Sequence, residues 1–89
     1  MDTLDIQKQV KETVAAYFNA KADKVDGFEL KPEDVYVVWQ CKTLQNWKAM
    51  ASTTVPDGMY YEVTHNGDAR ETYIDAYRKW ENVCIPDVA

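Results

Sequence analysis

Apolar residues recur near the start of the chain at helical spacing. Ile6, Val10, Val14, Tyr17 and Phe18 stack on one face, while Lys8, Lys11, Glu12 and Asn19 lie mostly off it. The spacing predicts a helix over residues 3–20. Asp2 or Thr3 can cap its first turn, and Asp5 suits the positive end of the helix dipole. A membrane-surface helix would carry a polar face rich in Lys and Arg; this one does not, so the stripe reads as a core face packed on a sheet.

A charged connector follows over residues 21–34, with Gly27 and Pro32 as breakers and five acids, among them Asp23, Asp26 and Glu29. The acids suggest calcium, but an EF-hand loop beginning at Asp23 would place Val25 and Gly27 where oxygen ligands are required. A solvated loop is the expectation.

From Val35 the period changes to two. Val35, Val37, Trp39 and Cys41 alternate with Tyr36, Val38, Gln40 and Lys42, and the β-branched and aromatic content predicts a central strand. Thr43-Leu44-Gln45-Asn46 makes a turn. Lys48 to Thr54 gives a second strand whose small residues Ala49 and Ala51 invite close approach of the helix. Pro56-Asp57-Gly58 is a turn signal, and Met59 to His65 a third strand.

The segment after Asn66-Gly67 has two readings. As a two-residue hairpin turn, Asn66-Gly67 returns the chain into a fourth strand, Glu71 to Tyr77, favoured by Thr72, Tyr73 and Ile74. Alternatively Asp68 and Glu71 form a capping box, and Tyr73, Ala76, Tyr77, Trp80 and Cys84 line a helix, giving an α-β-β-β-α order. The hairpin is preferred, because a tight turn specifies its continuation more closely than a capping box does. The expected fold is therefore α+β in a single domain, residues 1–89. One N-terminal helix packs on an antiparallel meander of three or four strands over residues 35–80, with a tail at 81–89.

Composition narrows the function. The 89 residues carry fifteen acids against ten bases, a net charge of -5. Such a balance argues against non-specific attraction to nucleic acid or anionic membrane. No apolar run approaches the roughly 18 residues of a membrane span. The acidic start lacks a signal-peptide layout, so the expected location is cytoplasmic. Cys41, in an alternating apolar stretch, is expected to be a small buried hydrophobe; with Cys84 and His65 it could supply three zinc ligands, but no local pairing supports this, and no metal or cofactor is expected. There is no Gly-rich phosphate loop, no HExxH and no GxSxG, and the sole histidine has no partner signature, so the chain reads as non-enzymatic.

The aromatic load is the informative feature. A single helix covers one face of a small sheet; rings on the other face are left exposed, and exposed rings with a polar rim mark binding surfaces. The candidate partner-binding residues are Trp39, Trp47, Tyr60, Tyr73, Tyr77 and Trp80, together with Asp23, Asp26 and Glu29 of the acidic connector. Core packing is the competing use of these rings. Residues 35–55 contain no acid, and Lys42, Trp47, Lys48, Arg70, Arg78 and Lys79 could form a patch that stacks single-stranded nucleic acid or a nucleotide, against the overall charge.

Three strings, Asp34-Val-Tyr-Val-Val-Trp-Gln-Cys-Lys-Thr-Leu-Gln-Asn-Trp-Lys-Ala-Met, Asp57-Gly-Met-Tyr-Tyr-Glu-Val-Thr-His-Asn-Gly-Asp and Tyr73-Ile-Asp-Ala-Tyr-Arg-Lys-Trp-Glu-Asn, resemble a family of small uncharacterised proteins from prophages and mobile elements of streptococci and related Gram-positive bacteria. The resemblance covers residues 14–86. It implies a bacteriophage setting, and with it an accessory protein, monomer or homodimer, that binds and inhibits a host protein in the host cytoplasm. A defence nuclease such as a CRISPR effector is one target class, which would make the chain an anti-CRISPR candidate. The resemblance carries no site residues.

Overall fold

Helix α1 spans Thr3–Asn19. Its start is fixed by a reciprocal capping box: the Asp5 N–H donates to the Asp2 carboxylate at 2.9 Å, while the Asp2 N–H donates back to the Asp5 side chain. Ile6, Val10, Val14 and Ala15 are buried, as the heptad-like spacing requires, and Tyr17 and Phe18 pack at the margin. The computed structural model describes residues 2–21 and 27–88.

Four antiparallel strands follow in a simple meander: β1 Val35–Thr43, β2 Asn46–Thr53, β3 Met59–Asn66 and β4 Glu71–Arg78, side by side in that order, so β1 is an edge strand and not the central strand its two apolar faces suggest. The fold is α+β, and the C-terminal segment adopts the strand rather than the helix. With one helix layer on one sheet layer, the molecule is a slab 46 × 40 × 20 Å.

Helix α1 packs on β1, β2 and β3. Ala49 and Ala51 of β2 are fully buried beneath it, so short side chains do set the close approach of helix and sheet. Around them lie Val35, Val63, Tyr61 and Leu30. Leu30 is drawn in by Asn19, whose amide donates to the Leu30 carbonyl and accepts from its N–H, both at 2.8 Å. Burying each such Val, Leu or Ile side chain stabilises the fold by about 1.5–3 kcal/mol.

Strict alternation along β1 fails at one residue. Val37 lies opposite Ala51, but Trp39 lies opposite Met50, so Val38 is an extra residue, a β-bulge. Side chains on paired residues share a face. Val35 and Val37 therefore face α1, while Trp39 and Cys41 join Tyr36 on the opposite side. Gln40 turns toward the helix, its amide donating to the Thr3 carbonyl at 3.4 Å. This corrects the expectation that Val35, Val37, Trp39 and Cys41 share one face, and Cys41 is exposed rather than buried.

The β3–β4 connection is also not the two-residue turn that Asn66-Gly67 suggests. Asn66 pairs with Glu71 across a four-residue loop, and the left-handed residue is Arg70, with φ 55°. The Asn66 side chain caps the loop by accepting from the N–H groups of Asp68 and Ala69. Glycine is needed at position 67 for a different reason. The two hairpin tips touch there: the Gly67 N–H donates to the Asn46 side chain at 2.8 Å, the Gln45 amide bonds to Asp68, and a Cβ on Gly67 would collide with the Gln45 backbone.

Candidate functional site

The side of the sheet away from α1 carries three cross-strand rows. The first is Tyr36 and Ser52, continuing through Tyr60 to Tyr77; the second is Trp39, Met50, Glu62 and Asp75; the third is Cys41, Lys48, Thr64 and Tyr73. Neighbouring strands lie about 4.8 Å apart, so in the first row Tyr60 is adjacent to Tyr77 and two strands from Tyr36, while the other rows hold one ring each. Tyr36, Trp39, Tyr73 and Tyr77 remain 49%, 43%, 56% and 51% exposed. Tyr60 and Met50 are half-buried among them. The result is a face with exposed rings along both edge strands, Tyr60 within it, and a depression of about 430 Å³ at its hairpin end that Trp39, Cys41 and Lys48 share with Trp47 and His65.

Polar groups rim this surface. Lys48 pairs with Glu62 at 3.5 Å, which occupies the one lysine of the face. The Tyr73 hydroxyl donates to the Glu71 carboxylate at 2.5 Å, and that bond raises the phenol's pKa above its ordinary value of 10.0. With Glu62, Glu71 and Asp75 against Lys48 alone, the strands leave the face net negative.

Of the expected partner-binding residues, the structure brings Trp39, Tyr60, Tyr73 and Tyr77 together on this face. Trp47 does not belong there. It lies on the helix side of β2, 4% exposed, stacked on His65 with ring centroids 5.3 Å apart and planes 18° apart. Its indole Nε1 and the Gln40 Oε1, both on the helix side, are buried without hydrogen-bond partners. Trp80 follows the end of β4 rather than lying within the sheet, and is 94% exposed. Glu29 is exposed next to Leu30, which bonds to α1, so it belongs to the helix side of the slab. Asp23 and Asp26 lie outside the described residues. Tyr36 and Met50 complete the face and were missing from the sequence-based set. The available signal was their position opposite Val35 and Ala51 in the alternation.

The expected basic patch is dispersed. Arg70 precedes β4 and Arg78 ends it, separating the two by about 26 Å at strand rise. Lys42 faces the helix side and Lys48 the open side. Among the described residues, no three of His, Cys, Asp or Glu gather where they could hold a metal ion. His65 instead shares a 2.9 Å hydrogen bond with the Thr72 hydroxyl, and Cys41 and Cys84 are free and exposed. No helix among the described residues is long and apolar enough to cross a membrane.

A small α+β domain with one helix-covered and one ring-bearing sheet face is thus the class this fold and surface define. The chain belongs to a family described as "Family of unknown function (DUF6275)", whose model matches residues 7–87. No curated protein and no solved structure matches it significantly.

Proposed function

We propose that this chain is a non-enzymatic phage or prophage accessory protein that acts in the host cytoplasm by binding a host protein through the open sheet face. The observation that supports this is the exposure of Tyr36 and Trp39 on β1 and of Tyr73 and Tyr77 on β4, two edge-strand pairs on a face the helix does not cover. Exposed aromatic clusters with polar rims are the kind of surface whose burial drives specific association. The acids around the rings favour a partner with a basic rim over a phosphate backbone. A host defence nuclease, built to hold nucleic acid and therefore basic, is the target class we put first.

The test is capture from host lysate, with a defence-interference assay beside it. Wild type should retain a host protein and reduce nuclease activity. A Tyr36→Ala/Trp39→Ala/Tyr77→Ala variant that still folds should lose both. Empty captures and undiminished defence would sink the proposal. Quenching of tryptophan fluorescence by oligonucleotides at both low and moderate salt would favour the nucleic-acid reading instead.

A further inference from the structure

Strand β4 is the outer strand of the sheet next to β3, and its construction differs from that of the opposite edge. β1 is interrupted by the bulge at Val38, a device that twists an edge away from other strands. β4 pairs with β3 without a break from Met59–Arg78 to Asn66–Glu71. Residues 71–77 contain no Lys, Pro or Gly. On its helix side β4 presents Thr72, Ile74 and Ala76, uncharged up to Arg78 at the strand's end, with Thr72 and Ala76 exposed. Bulges, Pro and Lys are usual protections of natural edges, and β4 has none of them over residues 71–77; its charges there are Glu71 and Asp75, both on the open side.

We propose that β4 is the seam of a homodimer, in which two copies pair these strands antiparallel about a two-fold axis at Ile74 and join their sheets into one. Antiparallel neighbours related by a two-fold axis keep like faces on the same side, so the sequence itself decides whether the seam is self-complementary. With the axis at Ile74, Ile74 meets the partner's Ile74 and Thr72 meets the partner's Ala76 on the helix side. On the open side Tyr73 meets the partner's Asp75, and Glu71 meets the partner's Tyr77. Every carboxylate faces a tyrosine: the Tyr77 hydroxyl can donate to the partner's Glu71, the Tyr73 hydroxyl can reach the partner's Asp75 by leaving its own Glu71, and no like charges oppose within the paired strands. Moving the axis one residue to Asp75 would set two carboxylates directly against each other. Arg78 comes opposite the partner's Arg70, which has already left the strand in its left-handed conformation. The seam makes the two open faces continuous, while the host-binding proposal stands or falls separately.

Sedimentation of the full chain at micromolar concentration tests this. Wild type should run at twice the chain mass. Ala76→Lys, which puts a charge on the helix side of the seam, should run as a folded monomer by circular dichroism, and Val38→Lys on the other edge should remain dimeric. In a Cys41→Ser/Cys84→Ser background, a mixture of Tyr73→Cys and Asp75→Cys chains should cross-link under mild oxidant faster than either alone. A monomeric wild type, a dimer that survives Ala76→Lys, or no preference for the mixed cross-link would overturn the proposal.

Discussion

The two faces of the sheet are built from the same strands and differ in what they can lose. Beneath α1 the β2 residues are Ala49 and Ala51, fully buried, and the larger side chains come from Ile6, Val10 and Val14 of the helix. On the other face the strands carry Tyr36, Trp39, Tyr60, Tyr73 and Tyr77. The core is mostly aliphatic and takes in Trp47 and Tyr61, while five further rings lie on the other face. A chain selected for stability alone would place its largest apolar surfaces where they leave water completely. The arrangement separates a face that holds the fold together from a face available for contact.

The strongest way to break that division is to truncate on both sides. Ile6→Ala should destabilise by about 2–5 kcal/mol, the usual cost of emptying a core site. Tyr36→Ala should cost about 1 kcal/mol or less, since it removes only a half-exposed cross-strand contact. Urea titration of both variants measures the gap; equal costs would mean that the open face is a second core.

A proton titration sharpens the same contrast. Tyr61 is buried against Tyr17, and desolvation, helped by the Asp57 charge, raises its pKa above 10.0. The folded state thus holds the phenolic proton more tightly than the unfolded chain does. The associated stability is fully present below pH 10.0 and is lost as pH rises through the folded-state pKa. Thermal melts between neutral pH and strongly alkaline pH should show a decline that Tyr61→Phe reduces.

The smallest expected effect is at the Lys48–Glu62 pair. It lies at the surface, so Glu62→Gln should change stability by about 1 kcal/mol or less while making the open face less negative. Denaturation at low and high salt checks this, and a large loss would show that the pair is part of the packing rather than of the rim.

Much of this was legible in the chain because the local signals agree. The helix stripe, the Ala-rich second strand and the Pro56-Asp57-Gly58 turn each needed only local sequence. What was not legible depended on contacts between distant residues. Asn66-Gly67 has the form of a tight turn, but its glycine serves the approach of the other hairpin tip at Gln45. Trp47 carries no local mark of its burial, which comes from facing α1 and from its stack on His65. The aromatic face was half legible: Trp39, Tyr60, Tyr73 and Tyr77 were singled out, but Tyr36 and Met50 join them only through the register of β1 and β2.

That register gives Val38 an influence out of proportion to its own contacts. The segments on either side of it run in opposite phase, one feeding the interior and one displaying its tryptophan. Deleting this residue would remove the bulge yet leave Trp39 opposite Met50, its indole still on the open side. Drawing Val38 into the regular ladder would do the reverse, inverting the parity from Trp39 to Thr43 and turning the indole inward and Gln40 outward. The irregularity, rather than the alternation, thus determines which side of the molecule presents that ring.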